Sequence, residues 1–290
     1  MKICPACNSR FEAEGWRCPS CHSEPDRVAG FPAFAPKLAR ENDGFEASYF
    51  DELAPLEANN FWFRSRNRII IWALGHYFPD ARNFLEIGCG TGFVLSGVKQ
   101  GIPDLRLSGS EIFANGLVYA GDRAGQCELF QMDARHIPFE DEFGVIGGFD
   151  VLEHIAEDEL VLQQMYRAVR PGGGVILTVP QHAFLWSKTD EHACHIRRYS
   201  KRDLQYKVRN AGFDLVRVTS FVSLLLPLMM ISRFRQRAVE EDYDPLAELK
   251  IRGWVNQILE KTLGLERALI RMGLSFPVGG SLLVVARKSA

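Results

Sequence analysis

Two segments of the chain concentrate histidines and carboxylates, the side chains that most often move protons in enzymes. In the first, Glu153 and His154 follow Asp150 by three and four residues. The second runs from 181 to 200 and holds His182, His192, His195, Asp190 and Glu191. Because histidine titrates near neutral pH, either segment can supply a general base.

The second segment also offers groups that bind anions and metals. Arg197 and Arg198 could hold an anionic acceptor, because guanidinium groups pair with carboxylates and phosphates. A zinc ion on the three histidines is an alternative, although their spacing is not that of a standard zinc site. At Ser200, the sequence Ser-Lys-Arg-Asp predicts the start of a helix.

Four of the seven cysteines form two C-x-x-C pairs near the start of the chain. They are Cys4 with Cys7 and Cys18 with Cys21. Each tight turn lets two thiolates face one ion, and two such turns make a closed tetrahedral site. The pattern predicts a structural zinc ribbon over residues 1–28. A redox dithiol and rubredoxin-like iron are the alternatives, but a redox C-x-x-C normally lies in a βαβ setting.

A glycine-rich run predicts a ligand site over the end of a strand. Glu86-Ile87-Gly88-Cys89-Gly90-Thr91-Gly92 predicts a buried strand, a tight turn and the start of a helix, which Thr91 can cap. The free N–H groups of such a turn favour a carboxylate or phosphate. The Glu86 carboxylate can accept hydrogen bonds from a ligand ammonium group or from the loop.

Strands and helices alternate through the body of the chain. The predicted strands are 84–87, 105–112, 127–131, 144–151, 175–180, 212–221 and 281–286, with helices at 61–74, 93–99, 114–124 and 158–170. This alternation predicts a parallel sheet with helices on both faces. Ligands of such sheets bind beyond the carboxyl ends of the strands, where Glu86, Glu111, Asp133 and Asp150 are expected.

Three motifs in chain order resemble those of class I S-adenosylmethionine (SAM) dependent methyltransferases. They are E-I-G-C-G-T-G at 86–92, F-D-V-L-E-H at 149–154 and R-P-G-G-G at 170–174. The resemblance covers residues 61–221 and the terminal strand. It implies an α/β fold with a seven-stranded Rossmann-like sheet, its seventh strand antiparallel, and SAM as the cofactor.

The resemblance also implies which residues hold the cofactor. Arg66, with Arg64 and Arg68 as rivals, would reach the SAM carboxylate from the helix before the first strand. Glu111 would bind the ribose hydroxyls, and its distance along the chain from the glycine loop suits that role. Asp133 would bind the adenine amino group. The full expected set is Arg66, Glu86, Gly88, Cys89, Gly90, Gly92, Glu111, Ile112, Asp133, Ala134, Asp150 and Val151.

The D-x-x-E-H pattern at 150–154 is similar to that of quinone-pathway O-methyltransferases. There it is associated with a divalent ion or with deprotonation of a hydroxyl. The resemblance implies Glu153 and His154 as catalytic residues and a divalent ion near Asp150, Glu153 and His154. From the second segment we expect His195 as a further catalytic residue. The first acid is aspartate here, not glutamate, so its carboxylate reaches less far. The alternative, in which Glu153 and His154 brace the following helix, stays open.

Two further segments flank the core. Residues 29–60 predict an extended connector with a short helix at 45–56 that ends near Pro55. Within the methyltransferase-like domain, 61–290, an insertion at 222–280 separates the last two strands. It holds an apolar run at 222–231, three arginines, the acidic run 240–242 and an amphipathic stretch at 246–272. We expect a helical cap or a homodimer surface. A lid for a lipid-like acceptor, or a shallow membrane contact, is the alternative.

Composition limits the possible functions. The formal net charge of -2 gives no general attraction to nucleic acid or to anionic membranes. With no signal peptide or membrane span in the sequence, we expect a cytoplasmic protein, at most peripheral at the inner membrane face. The expected function is methyl transfer to a small-molecule or lipid- or saccharide-linked acceptor, at oxygen. An RNA methyltransferase whose ribbon binds RNA is the alternative, and a non-enzymatic scaffold is a third hypothesis.

Overall fold

The computed structural model describes residues 1–39, 49–237 and 250–290. The strands in these ranges form one small sheet and one large sheet. The small sheet pairs β1 (Lys2–Ile3) with β2 (Arg10–Phe11). The strands of the large sheet are β3 (Asp26–Val28), β4 (Phe31–Ala33), β5 (Asn83–Ile87), β6 (Arg106–Glu111), β7 (Glu128–Gln131), β8 (Phe143–Phe149), β9 (Val169–Pro180), β10 (Asp214–Phe221) and β11 (Ser281–Arg287).

The large sheet has the order β10-β11-β9-β8-β5-β6-β7-β4-β3. Strands β4 to β9 within it pair in parallel, and β11 lies antiparallel between β9 and β10. The predicted fold, with seven core strands and the last one antiparallel, is confirmed by β5 to β11. The strand count was too low, because β3 and β4 extend the sheet to nine strands.

The extra hairpin lies where the sequence predicted the end of the ribbon and an extended connector. Its strands are three residues each, and Pro32 interrupts the second. Strands this short are too brief to show an alternation of apolar and polar residues, and proline lacks the backbone N–H that would donate a hydrogen bond to the neighbouring strand. The pairing of Ala33 with Gln131 joins the hairpin to the sheet.

Helices cover both faces of the sheet. They are α1 (Tyr49–Glu57), α2 (Phe61–Tyr77), α3 (Phe93–Gly101), α4 (Ala114–Ala124), α5 (Asp158–Ala168), α6 (Lys188–His192), α7 (Lys201–Asn210), α8 (Leu226–Arg237) and α9 (Gly253–Arg271). Phe84 of β5 packs in the core with α2, α3 and α4, whereas its neighbour Leu85 packs in the core with α5 and α7. This alternation follows from the period of a strand.

The predicted element ends differ in three places. Helix α1 contains Pro55 and continues to Glu57, while the first part of the predicted helix, 45–48, lies outside the described residues. Helix α2 continues through Gly75, and the N–H of Phe78 closes its last turn on Leu74. Strand β9 begins at Val169, where the sequence predicted helix.

The insertion between the last two strands is helical, as predicted. Helix α9 packs on α2, where Glu260 accepts hydrogen bonds from Arg64 at 3.1 Å and Arg68 at 2.5 Å. Glu266 of α9 accepts hydrogen bonds from the N–H groups of Ser223 and Leu224 before α8. The acidic run 240–242 and the start of the predicted 246–272 stretch lie outside the described residues. Among the helices described, none is both long and apolar enough to span a membrane.

Candidate functional site

The glycine loop follows β5 at the carboxyl edge of the sheet. Gly88 and Gly92 have φ of +65° and +74°, a region that glycine adopts without strain. A Cβ on Gly88 would lie 2.5 Å from a methyl group of Val151, and one on Gly92 would lie 2.7 Å from the Cα of Ala120. Both positions therefore require glycine, because the loop packs against α4 and against the residues that follow β8.

Glu111 ends the neighbouring strand and faces this loop. Its carboxylate accepts hydrogen bonds from the N–H groups of Gly90 at 3.0 Å, Ile112 at 2.8 Å and Phe113 at 3.3 Å. Burial raises its pKa above the ordinary value. These contacts fix the carboxylate across the mouth of the loop, beside buried Cys89.

Arg66 reaches the same crevice from α2. It forms an ion pair with Asp150, and its guanidinium group lies 4.6 Å from the ring of Trp62. The rivals Arg64 and Arg68 point away and pair with Glu260. The structure therefore brings only the middle of the three arginines to the strand ends.

Glu86 lies inside the crevice as a buried carboxyl group. One of its oxygens is buried without a hydrogen-bond partner. Burial raises its pKa well above the ordinary value, although the nearby Arg66 opposes the shift. An orphaned buried oxygen beside a guanidinium group suits a zwitterionic ligand, since each end of the ligand would find an opposite partner.

Asp133 follows β7 and marks the far end of the crevice. Its carboxylate accepts hydrogen bonds from Arg135, with both oxygens 3.0 Å from Nε. Burial raises the pKa of Asp133, but the hydrogen bonds from Arg135 outweigh it and the pKa is lowered overall. The sequence pattern did not predict a role for Arg135. Ala134 is buried next to this pair.

Helix α1 covers the glycine loop through a contact that the sequence did not predict. The hydroxyl of Thr91 donates to the Glu57 carboxylate at 2.6 Å, and Arg123 of α4 pairs with the same carboxylate. Thr91 therefore does not cap α3, whose N-cap is Gly92. Glu57 lies in the predicted connector, and the local sequence pattern there does not indicate a contact with the glycine loop.

The acid and histidine groups come together beyond β8 and β9. His195 Nδ1 lies 2.9 Å from Asp190, which also accepts a 2.7 Å hydrogen bond from Arg198. The other nitrogen of His195, Nε2, lies 3.9 Å from Glu153. The His154 ring stands edge-on to that of His195, with centroids 4.8 Å apart. Since Asp150 is ion-paired with Arg66, this group adjoins the crevice.

Comparison with known proteins gives the family. A family model described as a methyltransferase domain matches residues 57–218, more than half of the chain. The chain belongs to the class I SAM-dependent methyltransferases. A probable S-adenosylmethionine-dependent methyltransferase of Mycolicibacterium smegmatis is 24% identical over 166 residues, which are 55% of this chain. The methyltransferase spans 62% of the length of that relative.

Solved structures share the fold at low sequence identity. A possible histamine N-methyltransferase of Thermotoga maritima superposes with a TM-score of 0.53 and 17% identity, covering 84% of this methyltransferase and 97% of that chain. The [4+2]-cyclase SpnF superposes with a TM-score of 0.53 and 16% identity, covering 79% of this methyltransferase and 84% of that chain. Likeness at this level shows the fold alone.

Burial sets the charge states of the acid and histidine group in this methyltransferase. Glu153 is fully buried, and neither carboxyl oxygen has a hydrogen-bond partner among the described residues. Burial, with Asp150 nearby, raises its pKa well above the ordinary value. Burial and His195 lower the pKa of His154 to about 4. Burial therefore disfavours ionisation of Glu153, and His154 is uncharged at neutral pH.

Replacing Glu153 by glutamine should stabilise the fold, by a margin that grows with pH. The unfolded chain ionises this carboxyl near its ordinary pKa of 4.5, whereas the folded chain keeps it protonated to higher pH. Stability of the wild type therefore falls as pH rises from the unfolded value towards the folded one. Each pH unit in that window adds at most about 1.4 kcal/mol to the margin.

Urea unfolding of both proteins between pH 4 and 8 measures this margin. Glu128→Gln, which replaces an exposed carboxyl on β7, is the matched control and should show no such trend. A Glu153→Gln variant that is equally stable, or less stable, across the whole range would contradict the prediction.

Glu153, His154 and His195 could also hold a divalent ion. Each offers one ligand atom, and these atoms lie within 4.8 Å of one another. The ion was predicted near Asp150, Glu153 and His154, but Asp150 is occupied by Arg66 and His195 takes its place in the group. His182 and His192 do not belong to this group in the described part of the chain.

The four cysteines of the ribbon are arranged as one metal site. Sγ of Cys4 lies 3.6 Å from that of Cys21, and Sγ of Cys7 lies 3.7 Å from that of Cys18. A tetrahedral site with Zn–S bonds of about 2.3 Å has sulfur–sulfur edges of about 3.8 Å. The donor set therefore fits a structural zinc ion. His22 is exposed and lies outside the set.

Proposed function

We propose that this methyltransferase transfers the methyl group of SAM to a hydroxyl oxygen, with His195 as the general base. The acceptor is a small molecule or a lipid- or saccharide-linked compound. The observation that carries the proposal is the contact of Asp190 with His195 Nδ1, which leaves Nε2 directed towards Glu153. A hydroxyl acceptor must lose a proton, and a positioned imidazole can accept it.

SAM supplies an electrophilic methyl group, so the protein must orient the acceptor and remove its proton. Asp190 holds a proton on Nδ1 and thereby keeps a lone pair on Nε2 of His195. Burial raises the pKa of Asp190, but hydrogen bonds and charge from His195 and Arg198 lower it to about 2, so it stays ionised. Burial and the nearby Asp150 raise the pKa of Glu153, which disfavours a second negative charge beside Asp150.

The crevice at the other strand ends supports the cofactor assignments. Arg66 offers a cation for the SAM carboxylate and Glu86 an acceptor for the ammonium group. Glu111 offers a fixed carboxylate for the ribose hydroxyls, and Asp133, already paired with Arg135, lies where the adenine would end. Val151 packs on Gly88, which joins this crevice to the turn that carries Glu153.

The surface of the insertion supports an apolar acceptor. Exposed apolar side chains recur on α8 at Leu228, Ile231 and Phe234. They recur on α9 at Trp254, Ile258 and Leu265. Three or four residues separate most neighbours, so each set forms a stripe along its helix. Such stripes suit contact with a lipid phase or a lipid-linked substrate.

Transfer of radiolabel from methyl-labelled SAM tests the acceptor class. The purified methyltransferase is incubated separately with a lipid extract, a low-molecular-weight extract and total RNA. We expect label in the lipid or low-molecular-weight fraction, and mass spectrometry of the product then identifies the methylated atom. Label in RNA alone would overturn the proposed acceptor class, and label on carbon or nitrogen would overturn O-methylation.

A further inference from the structure

The zinc ribbon is joined to the segment that follows β7. The N–H of Ile3 donates to Pro138 at 2.9 Å, and that of Glu140 donates to Met1 at 2.9 Å. The Trp16 ring packs against Phe34, Phe130 and Phe139, with centroids 4.4, 5.8 and 5.2 Å apart. The ribbon therefore shares one aromatic cluster with the sheet and with the residues after β4.

A buried glutamine links this N-terminal region to the cofactor crevice. Gln131 is fully buried at the end of β7. Its side-chain oxygen accepts from the Ala35 N–H at 3.0 Å, and its side-chain nitrogen donates to the carbonyls of Ala35 and Ile112, each at 2.8 Å. Its main-chain carbonyl accepts from Phe34 at 2.8 Å.

These hydrogen bonds end on the neighbours of the two crevice acids. Ile112 follows Glu111 and donates its N–H to the Glu111 carboxylate. Met132, which lies between Gln131 and Asp133, donates its N–H to the Glu111 carbonyl at 3.1 Å. Loss of the N-terminal region would remove both hydrogen bonds of the Gln131 side chain to Ala35 and leave its oxygen without that donor, next to the backbone of both acids.

We propose that zinc binding to the ribbon and cofactor binding to the crevice are coupled through Gln131. With zinc bound, the ribbon and the β3–β4 hairpin hold Gln131, and Gln131 holds the backbone on which Glu111 and Asp133 stand. The proposal rests on the cofactor roles proposed above for these two acids. Coupling between two sites is reciprocal, so each ligand must tighten the other by the same factor.

Calorimetry with S-adenosylhomocysteine tests the first direction. We expect zinc removal by a chelator to weaken binding to the full chain by about 5- to 150-fold, the usual range for coupled sites. The Gln131→Met variant keeps the size of the side chain and removes its hydrogen bonds. In this variant, zinc removal should change the affinity for S-adenosylhomocysteine by less than about twofold. Arg10→Ala removes a ribbon contact to Glu140 that does not involve Gln131 and should keep the coupling.

The effect of S-adenosylhomocysteine on zinc affinity is measured by competition for zinc with a chromophoric chelator. This experiment does not require zinc-free protein to be prepared first. Saturating S-adenosylhomocysteine should raise the zinc affinity of the wild type by the same factor, but not that of Gln131→Met. A zinc affinity unchanged by S-adenosylhomocysteine would overturn the coupling even if the zinc-free chain does not fold.

Failure of the coupling can be told apart from failure of the proposed cofactor roles. If zinc-loaded wild type binds S-adenosylhomocysteine and Glu111→Ala weakens that binding, the cofactor roles stand whatever zinc does. If Glu111→Ala binds as tightly as the wild type, the cofactor assignment is wrong and the coupling proposal falls with it.

Discussion

Replacing His195 by alanine should lower kcat by about 10²- to 10⁴-fold, the contribution expected of a general base. The acceptor would be the one found by radiolabel transfer. Binding of S-adenosylhomocysteine should stay within about twofold, because His195 contacts Asp190, Glu153 and His154, not the glycine loop. The combination of lost turnover and retained cofactor binding separates a catalytic role from a structural one.

Two variants make this experiment sharper. Asp190→Asn should also reduce kcat strongly, because the amide cannot enforce the proton on Nδ1 that frees Nε2. His192→Ala, an exposed histidine in the same segment, is the matched control and should keep its turnover. A His195→Ala enzyme within about threefold of the wild type would contradict the general base, and it would favour an acceptor that need not be deprotonated.

The strand ends could be predicted from sequence because local pattern and topology agree there. Buried apolar runs marked the strands, glycine marked the turn after β5, and parallel strands carry their carboxyl ends to one edge. Glu86, Glu111, Asp133 and Asp150 each follow or end such a run. Their convergence therefore needed no knowledge of long-range contacts.

Helical geometry divides the three arginines of α2 between two faces of the helix. Residues four apart share a face, so Arg64 and Arg68 point together, while Arg66 lies on the opposite side. In the structure, Arg64 and Arg68 form ion pairs with Glu260 of α9, whereas Arg66 forms an ion pair with Asp150. The pairing of Arg64 and Arg68 with Glu260 could not be predicted from the sequence, because α9 lies almost 200 residues further along the chain.

The remaining parts of the site depend on contacts that no local pattern encodes. Asp190 and His195 were both visible in the histidine-rich segment, but their pairing depends on the fold of the loop around α6. Glu57 reaches Thr91 over a separation of 34 residues. The hairpin β3–β4 was missed for the same reason, since its three-residue strands are stabilised by the edge of β7 and not by their own sequence.

Replacing Cys4 and Cys7 together by serine should abolish zinc binding and unfold the ribbon. The wild type should contain one zinc per chain by metal analysis, whereas rubredoxin-like iron would colour the protein and a redox dithiol would carry no metal. The ribbon has only a small core of its own, because its buried apolar cluster consists of Cys4, Phe11 and Cys18 with Trp16 beside them. Structural zinc sites supply about 10–16 kcal/mol of binding energy, which serves as folding energy.

Unfolding of the ribbon should be visible at Trp16. In the folded protein its ring lies among Phe34, Phe130 and Phe139, so its release into water should shift tryptophan emission to the red. Hydrogen exchange should rise over residues 1–23, while β5 and β8 stay protected, because each is paired with a strand on both sides in the interior of the sheet. Cys127→Ser, which replaces a cysteine outside the cluster, should retain zinc. Stoichiometric zinc in the double-serine variant would exclude this site, since two thiolates cannot close a tetrahedral S4 centre.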